Sequence, residues 1–563
     1  MAEADYEVRV LDGPNLYFPR PAVKLTLRMP GLAGAGDADA RLRAEQVGVR
    51  VARPGAPSTS QRQVLVERVC ARVLRTVATA SGTTRLGIRV RPGASTDEVV
   101  LAYPWRHRGR AEALGESVAA VLGSLDRGED VPGALDAAVE RVIGSPLGRT
   151  PDLASPRIPV VSVTGTNGKT TVTRLLAHLA MTDGYRTGWT NTDGIYVQGE
   201  LIEEGDWSGP GGARRVLAQP GLELAVLETA RGGLLLRGMG VDHNDVSVVT
   251  NVSDDHLGMQ GVDTLDQLAE VKSVIVGVTR ASGWTVLNGD DPRTLAMRTR
   301  SKARPWVFSL DPASPALRSA LDAGGRAATV LDGDLVVITQ PSDPDHLVPL
   351  VDVPLTLSGL SRHNVANALA AMAGGLAIGL RREAVVAGLR SFTPDSVLNP
   401  GRLNLYSLAG VTVVVDLAHN EAGLEALLGV LAGLRGPGAA VRLVLGTAGD
   451  RQDSVLQTLG ELAARGADDI VIGHKERYLR GRTTAEMADL YRQGAAAVGV
   501  GGLGEEATEL AALTVLVERS APGDVVGVMC HAERSEIGAW LLARGGTPDG
   551  PAQVRAKVVA ARA

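Results

Sequence analysis

Between residues 160 and 171 the chain reads Val-Val-Ser-Val-Thr-Gly-Thr-Asn-Gly-Lys-Thr-Thr: a β-branched run, a turn with two glycines, then a lysine and two hydroxyls opening a helical stretch. A phosphate loop needs that order. Backbone N–H groups across Gly165, Thr166, Asn167 and Gly168 and at the helix start can surround phosphate oxygens, with Thr171 in the same turn. Lys169 brings a cation to the transferred phosphate, and the Thr170 hydroxyl can ligate Mg²⁺. The spacing departs from the standard Walker pattern, because Val163 stands where its first glycine would be and Gly165 follows two residues later. The ligand expected here is a nucleoside triphosphate, ATP.

Carboxylates, a histidine and a lysine follow in an order that could complete a metal site. Glu228 comes just after a short buried run, at the carboxyl edge where open α/β sheets bind ligands. Residues 246–250 read as another strand and deliver Asn251-Val-Ser-Asp-Asp-His256 to the same edge. Lys272 then lies on a helical stretch. Taken singly, a Glu or His at a strand end is as often a cap as a ligand, and a helical Lys is usually solvated. Their succession after the phosphate loop shifts that balance toward function: Thr170 and Glu228 are candidates for one Mg²⁺ site, and Asp255 and His256 would face the phosphates as candidates for a second metal ligand.

These residues require a scaffold, and the chain supplies one. At 563 residues it exceeds one ordinary domain, and three are expected. Residues 1–150 mix short β-like and helical runs as an α+β unit. A Pro- and Gly-rich break at 144–156 leads to a domain over 158–395, where β-branched runs at 158–163, 224–227, 246–250 and 285–287 alternate with helices as in a parallel sheet. A second break at 392–401 precedes a smaller doubly wound domain over 398–545. Residues 546–563, rich in Gly, Pro and Ala, are expected to be a flexible tail. The fold class is therefore α/β: a phosphate-loop ATPase domain and a Rossmann-like domain after an α+β domain.

A net charge of −5 argues against non-specific nucleic-acid binding. The acidic start and the lack of any apolar run of bilayer length point to a cytoplasmic protein that binds no membrane. Cys70 and Cys530 lie far apart without Cys-x-x-Cys spacing, so they read as buried small hydrophobes rather than as a disulfide or zinc site.

Thr164-Gly-Thr-Asn-Gly-Lys-Thr-Thr, Glu228, Asn251-x-x-x-Asp-His256, Lys272, His363-Asn-Val-Ala-Asn367 and Asp416-Leu-Ala-His-Asn420 occur in the order found in the Mur ligases and folylpolyglutamate synthetases, which this chain resembles over about residues 158–540. The resemblance implies a central ATPase domain and a C-terminal domain closing over one cleft. It implies one Mg²⁺ at Thr170 and Glu228 and a second near His256 and Lys272, the lysine being a candidate for carbamylation. A carbamate would turn a cation that repels Mg²⁺ into an anion that attracts it. Asn364 and Asn367 match positions near adenine, and Arg402 and Asp416 match contacts to phosphate and ribose. Within the superfamily, Thr192-Asp-Gly-Ile-Tyr, Leu227-Glu-Thr-Ala-Arg-Gly-Gly and Asn399-Pro-Gly-Arg-Leu-Asn look like the Mur-like half of the cyanophycin synthetases, and Leu11-Asp-Gly-Pro-Asn-Leu-Tyr looks like their first domain. The ATP-grasp domain that would lie between these parts is missing.

The expected activity is ATP-dependent joining of a carboxylate to an amine through an acyl phosphate, with amino-acid or peptide substrates. In the C-terminal loops Asp450 and Glu476 could bind a cationic amine, while Arg451, Lys475, Arg477 and Arg482 could equally bind a carboxylate. An ammonia-using ligase with a glutaminase partner and a catalytically silent ATP-binding subunit are the other readings; besides its substrates, the partner to consider is a second copy of the chain, in a homo-oligomer.

Overall fold

The structure is a computed structural model and describes residues 6–254 and 257–562. Its N-terminal part is a four-stranded antiparallel sheet, ordered Tyr6–Leu11, Ala22–Arg28, Glu98–Pro104, Arg89–Pro92. In Ala22–Arg28 the alternating Val23, Leu25 and Leu27 are buried. They meet the apolar stripe Leu65, Val66, Val69, Val73, Val77 of the Ser60–Ala80 helix, whose three- and four-residue spacing puts one face on the sheet. Lys24, between those buried residues, points to the other face.

The central sheet has eleven strands. Seven run parallel in the order Arg326–Leu331, Arg304–Phe308, Thr279–Asn288, Asn244–Val249, Val160–Thr164, Leu224–Glu228, Thr187–Thr190. Antiparallel hairpin strands finish both edges. Val160–Thr164 and Leu224–Glu228 are buried along their whole length, as strands covered on both faces must be, which is why most of their residues are apolar and neither shows an alternating polar face. The Lys169–Thr182 and Arg362–Ile378 helices pack together on one face, and Leu265–Lys272 and Val274–Gly277 lie on the other. Because Val163 pairs with Glu228 and Val249 with Thr164, the loops that follow three adjacent strands emerge at one edge.

The C-terminal sheet has five parallel strands, Gly504–Glu506, Asp469–Gly473, Val441–Leu445, Val525–Met529 and Val411–Asp416, extended antiparallel by Asn404–Leu408 and Thr547–Pro548. The last pairing corrects the expectation of a flexible tail. Thr547–Pro548 closes the sheet edge, and the Pro551–Arg562 helix buries Val554 and Val558, four residues apart on one face, against this domain's core. Lys557 Nζ donates to Ser407 Oγ at 2.8 Å and ties the helix to the neighbouring strand. Both cysteines are buried and free, as expected. Among the described residues no helix is long and apolar enough to cross a membrane.

One polar pair sits inside the C-terminal domain. Lys475 Nζ donates to Glu509 Oε1 at 2.5 Å and to Met529 O at 2.7 Å, and both side chains are buried. The Glu509 carboxylate also accepts backbone N–H bonds from His531, Ala532 and Glu533. Lys475 is therefore a structural counter-ion, not the surface carboxylate binder that its loop position suggested. Replacing Glu509 with Ala leaves a buried ammonium without its partner, so urea denaturation should show a loss of about 3–5 kcal/mol; an unchanged midpoint would contradict the pairing.

Candidate functional site

The turn after Val160–Thr164 is held from outside itself. Gly165 and Gly168 have φ of 152° and 85°. A Cβ on Gly165 would lie 1.9 Å from Thr250 Oγ1, and one on Gly168 would lie 2.2 Å from Asn367 Oδ1. Both positions thus need glycine for space as well as for conformation. Asn167 N–H donates to Asn251 Oδ1 at 2.9 Å, and its carbonyl accepts from Thr250 Oγ1 at 2.6 Å and Asn251 Nδ2 at 3.1 Å. Thr166 N–H donates to Asn251 O at 2.9 Å. These bonds fix the loop, and the first N–H groups of the Lys169–Thr182 helix, which geometry leaves without intrahelical partners, are the donors such a helix end can offer an anion.

Lys169 Nζ lies back over the loop and donates to Thr166 O at 2.8 Å. Thr170 Oγ1 donates to Glu228 Oε2 at 2.9 Å and lies 3.3 Å from Thr192 Oγ1. Glu228 is buried, and its other oxygen, Oε1, has no hydrogen-bond partner. Burial raises the Glu228 carboxyl, against the charge of Lys169 and the Thr170 bond. An orphaned buried carboxylate oxygen costs about 1–3 kcal/mol or more. A divalent cation would remove that cost, and a carboxylate with a neighbouring hydroxyl beside a triphosphate loop is the donor set Mg²⁺ takes. The residues present fit the metal.

Lys272 ends the Leu265–Lys272 helix, is buried, and donates from Nζ to Gly165 O at 2.6 Å. It therefore touches the same loop as Lys169 from the opposite side. Asp255 and His256 lie outside the described residues. Asn364 and Asn367 are buried on the Arg362–Ile378 helix and bond to each other at 3.0 Å, with Asn364 also donating to Leu355 O at 3.2 Å.

The C-terminal domain faces this edge across a cleft of about 710 Å³. Asn420 Nδ2 donates to Asn167 Oδ1 at 3.2 Å, so the loop itself touches the second domain. Asp416 Oδ2 accepts Leu403 N–H at 2.9 Å, and burial pushes its carboxyl up to about 6 against that bond and the Ala418 N–H. Arg402 donates to Pro400 O at 2.7 Å and pairs with Asp193 at 3.3 Å. The Asp193 carboxylate also pairs with Arg174 and Arg534, each at 3.1 Å. Burial alone would raise the Asp193 carboxyl, but the charges of Arg402, Arg534 and Arg174 outweigh it and hold it at about 2. Sequence reasoning missed this hub. In the sequence Asp193 stands only within the family-like stretch Thr192-Asp-Gly, and Arg534 lies 341 residues from it. Among the ambiguous loop charges, Asp450 lines the cleft, whereas Arg482 is committed to Gly449 O, Arg451 O and Asp453.

Fold and site together define a phosphate-loop α/β domain joined to a Rossmann-like domain across one nucleotide-sized cleft. The Mur ligase middle domain matches residues 163–375, and the Mur ligase glutamate ligase domain matches residues 401–531. A UDP-N-acetylmuramoyl-L-alanyl-D-glutamate–2,6-diaminopimelate ligase of Alkalilimnicola ehrlichii is 31% identical over 447 residues, covering 75% of this chain and 84% of that protein. The chain belongs to the Mur ligase family. A cyanophycin synthetase of Synechocystis sp. is 42% identical over 338 residues, 60% of this chain, but the match spans only 38% of that protein's length. Among solved structures, E. coli FolC in complex with DHPP and ADP shares the fold, with a TM-score of 0.52 at 21% identity, over 69% of this chain and 90% of that one.

Two outcomes follow from this geometry. Gly168→Ala forces a side chain against Asn367 and should weaken ATP binding by roughly tenfold or more, about 1.4 kcal/mol per decade, with the fold retained; calorimetry showing unchanged affinity would refute the close approach. Asp416 binds its proton more tightly folded than unfolded, so its contribution to stability is largest near pH 4 and is lost as pH rises past about 6. The stability advantage of Asp416→Asn over the parent should therefore grow between those pH values, and a pH-independent difference would show that Asp416 is not held in this way.

Proposed function

We propose that this chain is an ATP-dependent carboxylate–amine ligase that forms an amide or isopeptide bond through an acyl phosphate, joining an amino acid to an acidic amino acid or peptide. The observation that carries the reading is the buried Thr170–Glu228 pair, with its unsatisfied Oε1, set beside the phosphate loop and facing the second domain. Thr170 and Glu228 would hold Mg²⁺, with Lys272, as its carbamate, and His256 completing the metal side by family resemblance. When bound, the ion would supply charge neutralisation at the phosphates.

The chain's own groups account for the rest. Asn364 and Asn367 flank the adenine side, Asp416 accepts from a ribose hydroxyl, and Arg402 meets phosphate. A carboxylate oxygen of the acid attacks the γ-phosphorus, the bond to the β–γ bridging oxygen breaks, and ADP departs. Lys169 Nζ turns from Thr166 O to the transferring phosphoryl group, where its charge is worth most in a water-poor cleft. The neutral amine of the second substrate then attacks the acyl carbon, the C–O bond to phosphate breaks, and the proton shed by the amine nitrogen leaves with the phosphate. Closure of the two domains protects the acyl phosphate from water. The 2,6-diaminopimelate ligase among the relatives, whose name gives an amino acid as a substrate, supports an amino acid as the amine.

The test is ADP release and product mass with ATP, Mg²⁺ and a panel of acidic peptides and amino acids, each paired with amino acids, diamines or ammonia. Condensation with loss of water and one ADP per product is expected, and Lys169→Ala should lower turnover by about 10²–10³. ATP binding without ADP release for any pair, or turnover unaffected by Lys169→Ala, would contradict the proposal; a product with ammonia alone would make the chain an amidating ligase.

A further inference from the structure

The Leu11–Tyr17 segment and the domain around it are not used by the chemistry above, yet they grip the elements that carry it. Asp12 N–H donates to Arg237 O at 2.8 Å, and Met239 N–H donates to Pro14 O at 2.7 Å. A Cβ on Gly13 would lie 1.9 Å from Met239 O, so the two backbones meet as closely as glycine allows. Asn15 shapes this strap: its amide donates to Gly13 O and Arg20 O, and its oxygen accepts the N–H groups of Tyr17 and Phe18. The strap thereby fixes the end of the Arg231–Arg237 helix, which begins three residues after Glu228.

A second grip falls on the helix that ends at Lys272. Arg91, on the Arg89–Pro92 strand, reaches Glu270 through two bonds, Nη1 to Oε2 at 2.7 Å and Nη2 to Oε1 at 2.6 Å. Its guanidinium also lies 5.3 Å from the Tyr17 ring centroid, so the strap's own aromatic orients it. Leu265–Lys272 is only eight residues long and would be marginal alone. A capping box of Thr264 and Gln267 fixes its start. Its last turn is fixed by Ser273 Oγ on Glu270 O at 2.6 Å and by the Glu270 carboxylate, which Arg300 approaches at 3.8 Å and Arg91 holds in bidentate fashion. Two residues beyond Glu270, Lys272 reaches Gly165 O of the phosphate loop.

We propose that the N-terminal domain is a positioning domain for the catalytic edge, and that Arg91 is the positioning residue through which it sets Lys272, by way of Glu270. The path runs from Arg91 through a bidentate ion pair to a short helix and from that helix's last residue to the phosphate loop. This deepens the ligase reading of the cleft and rests on it for its effect on turnover.

The experiment is a double-mutant cycle of Arg91→Ala, Glu270→Ala and the double variant in the full chain, with Arg91→Lys as a milder change. Amide hydrogen exchange is measured over residues 165–168 and 265–272 in the ligand-free protein, and ADP formation is measured in parallel. Each single alanine variant should speed exchange in both segments about fivefold and slow ADP formation by a similar factor, and Arg91→Ala should add less than about twofold in the Glu270→Ala background. Arg91→Lys, which keeps the charge but not the fork, should fall between. Unchanged exchange in Arg91→Ala, or effects of the two alanines that simply multiply, would overturn the inference. If the parent forms no ADP with any substrate pair, the ligase reading fails, while the exchange cycle still decides whether Arg91 acts through Glu270.

Discussion

Gly168 sits where the Asn367 side chain leaves no room for a Cβ, and that close approach locks the phosphate loop against the helix that carries Asn364 and Asn367. The loop cannot choose its curvature from its own sequence. Asn251 and Thr250 hold it from one neighbouring strand end, Lys272 from a helix on one side of the sheet, and Asn367 from a helix on the other. A loop fixed from three directions presents its helix-end N–H groups without reorganisation when an anion arrives, which is the condition under which such donors act most strongly.

Sheet order explains why the remaining groups converge. Val160–Thr164 lies between Asn244–Val249 and Leu224–Glu228, so the residues after each strand meet at one edge without long excursions of chain. The second domain joins through the Asn167–Asn420 contact and through Asp193, whose single carboxylate gathers one arginine from its own domain and two from the other. Three guanidinium groups around one carboxylate leave excess positive charge beside Thr192 and Thr170, which favours an anionic ligand there.

The parts legible in the sequence were those encoded locally. The phosphate loop announces itself through a strand, two glycines, a lysine and hydroxyls in sequence, and Glu228 through its place at the end of a fully apolar run. What escaped was set by distant pairing. Lys475 reads as a loop cation because nothing near it reveals Glu509, which comes 34 residues later and buries it. Residues 546–563 read as loose from their Gly, Pro and Ala content, whereas Val554 and Val558 give the last helix an apolar stripe just wide enough to dock. Arg91 and Glu270 are 179 positions apart, and Arg402 and Arg534 reach Asp193 across 209 and 341, where no spacing rule applies.

Transfer of oxygen from the acid to phosphate tests the central claim most directly. With the acid that supports turnover labelled with ¹⁸O in its reacting carboxyl group, an acyl phosphate formed in this cleft must hand one labelled oxygen to the phosphate released when the amine attacks. Mass spectrometry is predicted to find one ¹⁸O in the inorganic phosphate for each amide formed. Amide formation with the expelled ¹⁸O recovered in water or in AMP, and none in the inorganic phosphate, would contradict activation by transfer of the γ-phosphoryl group.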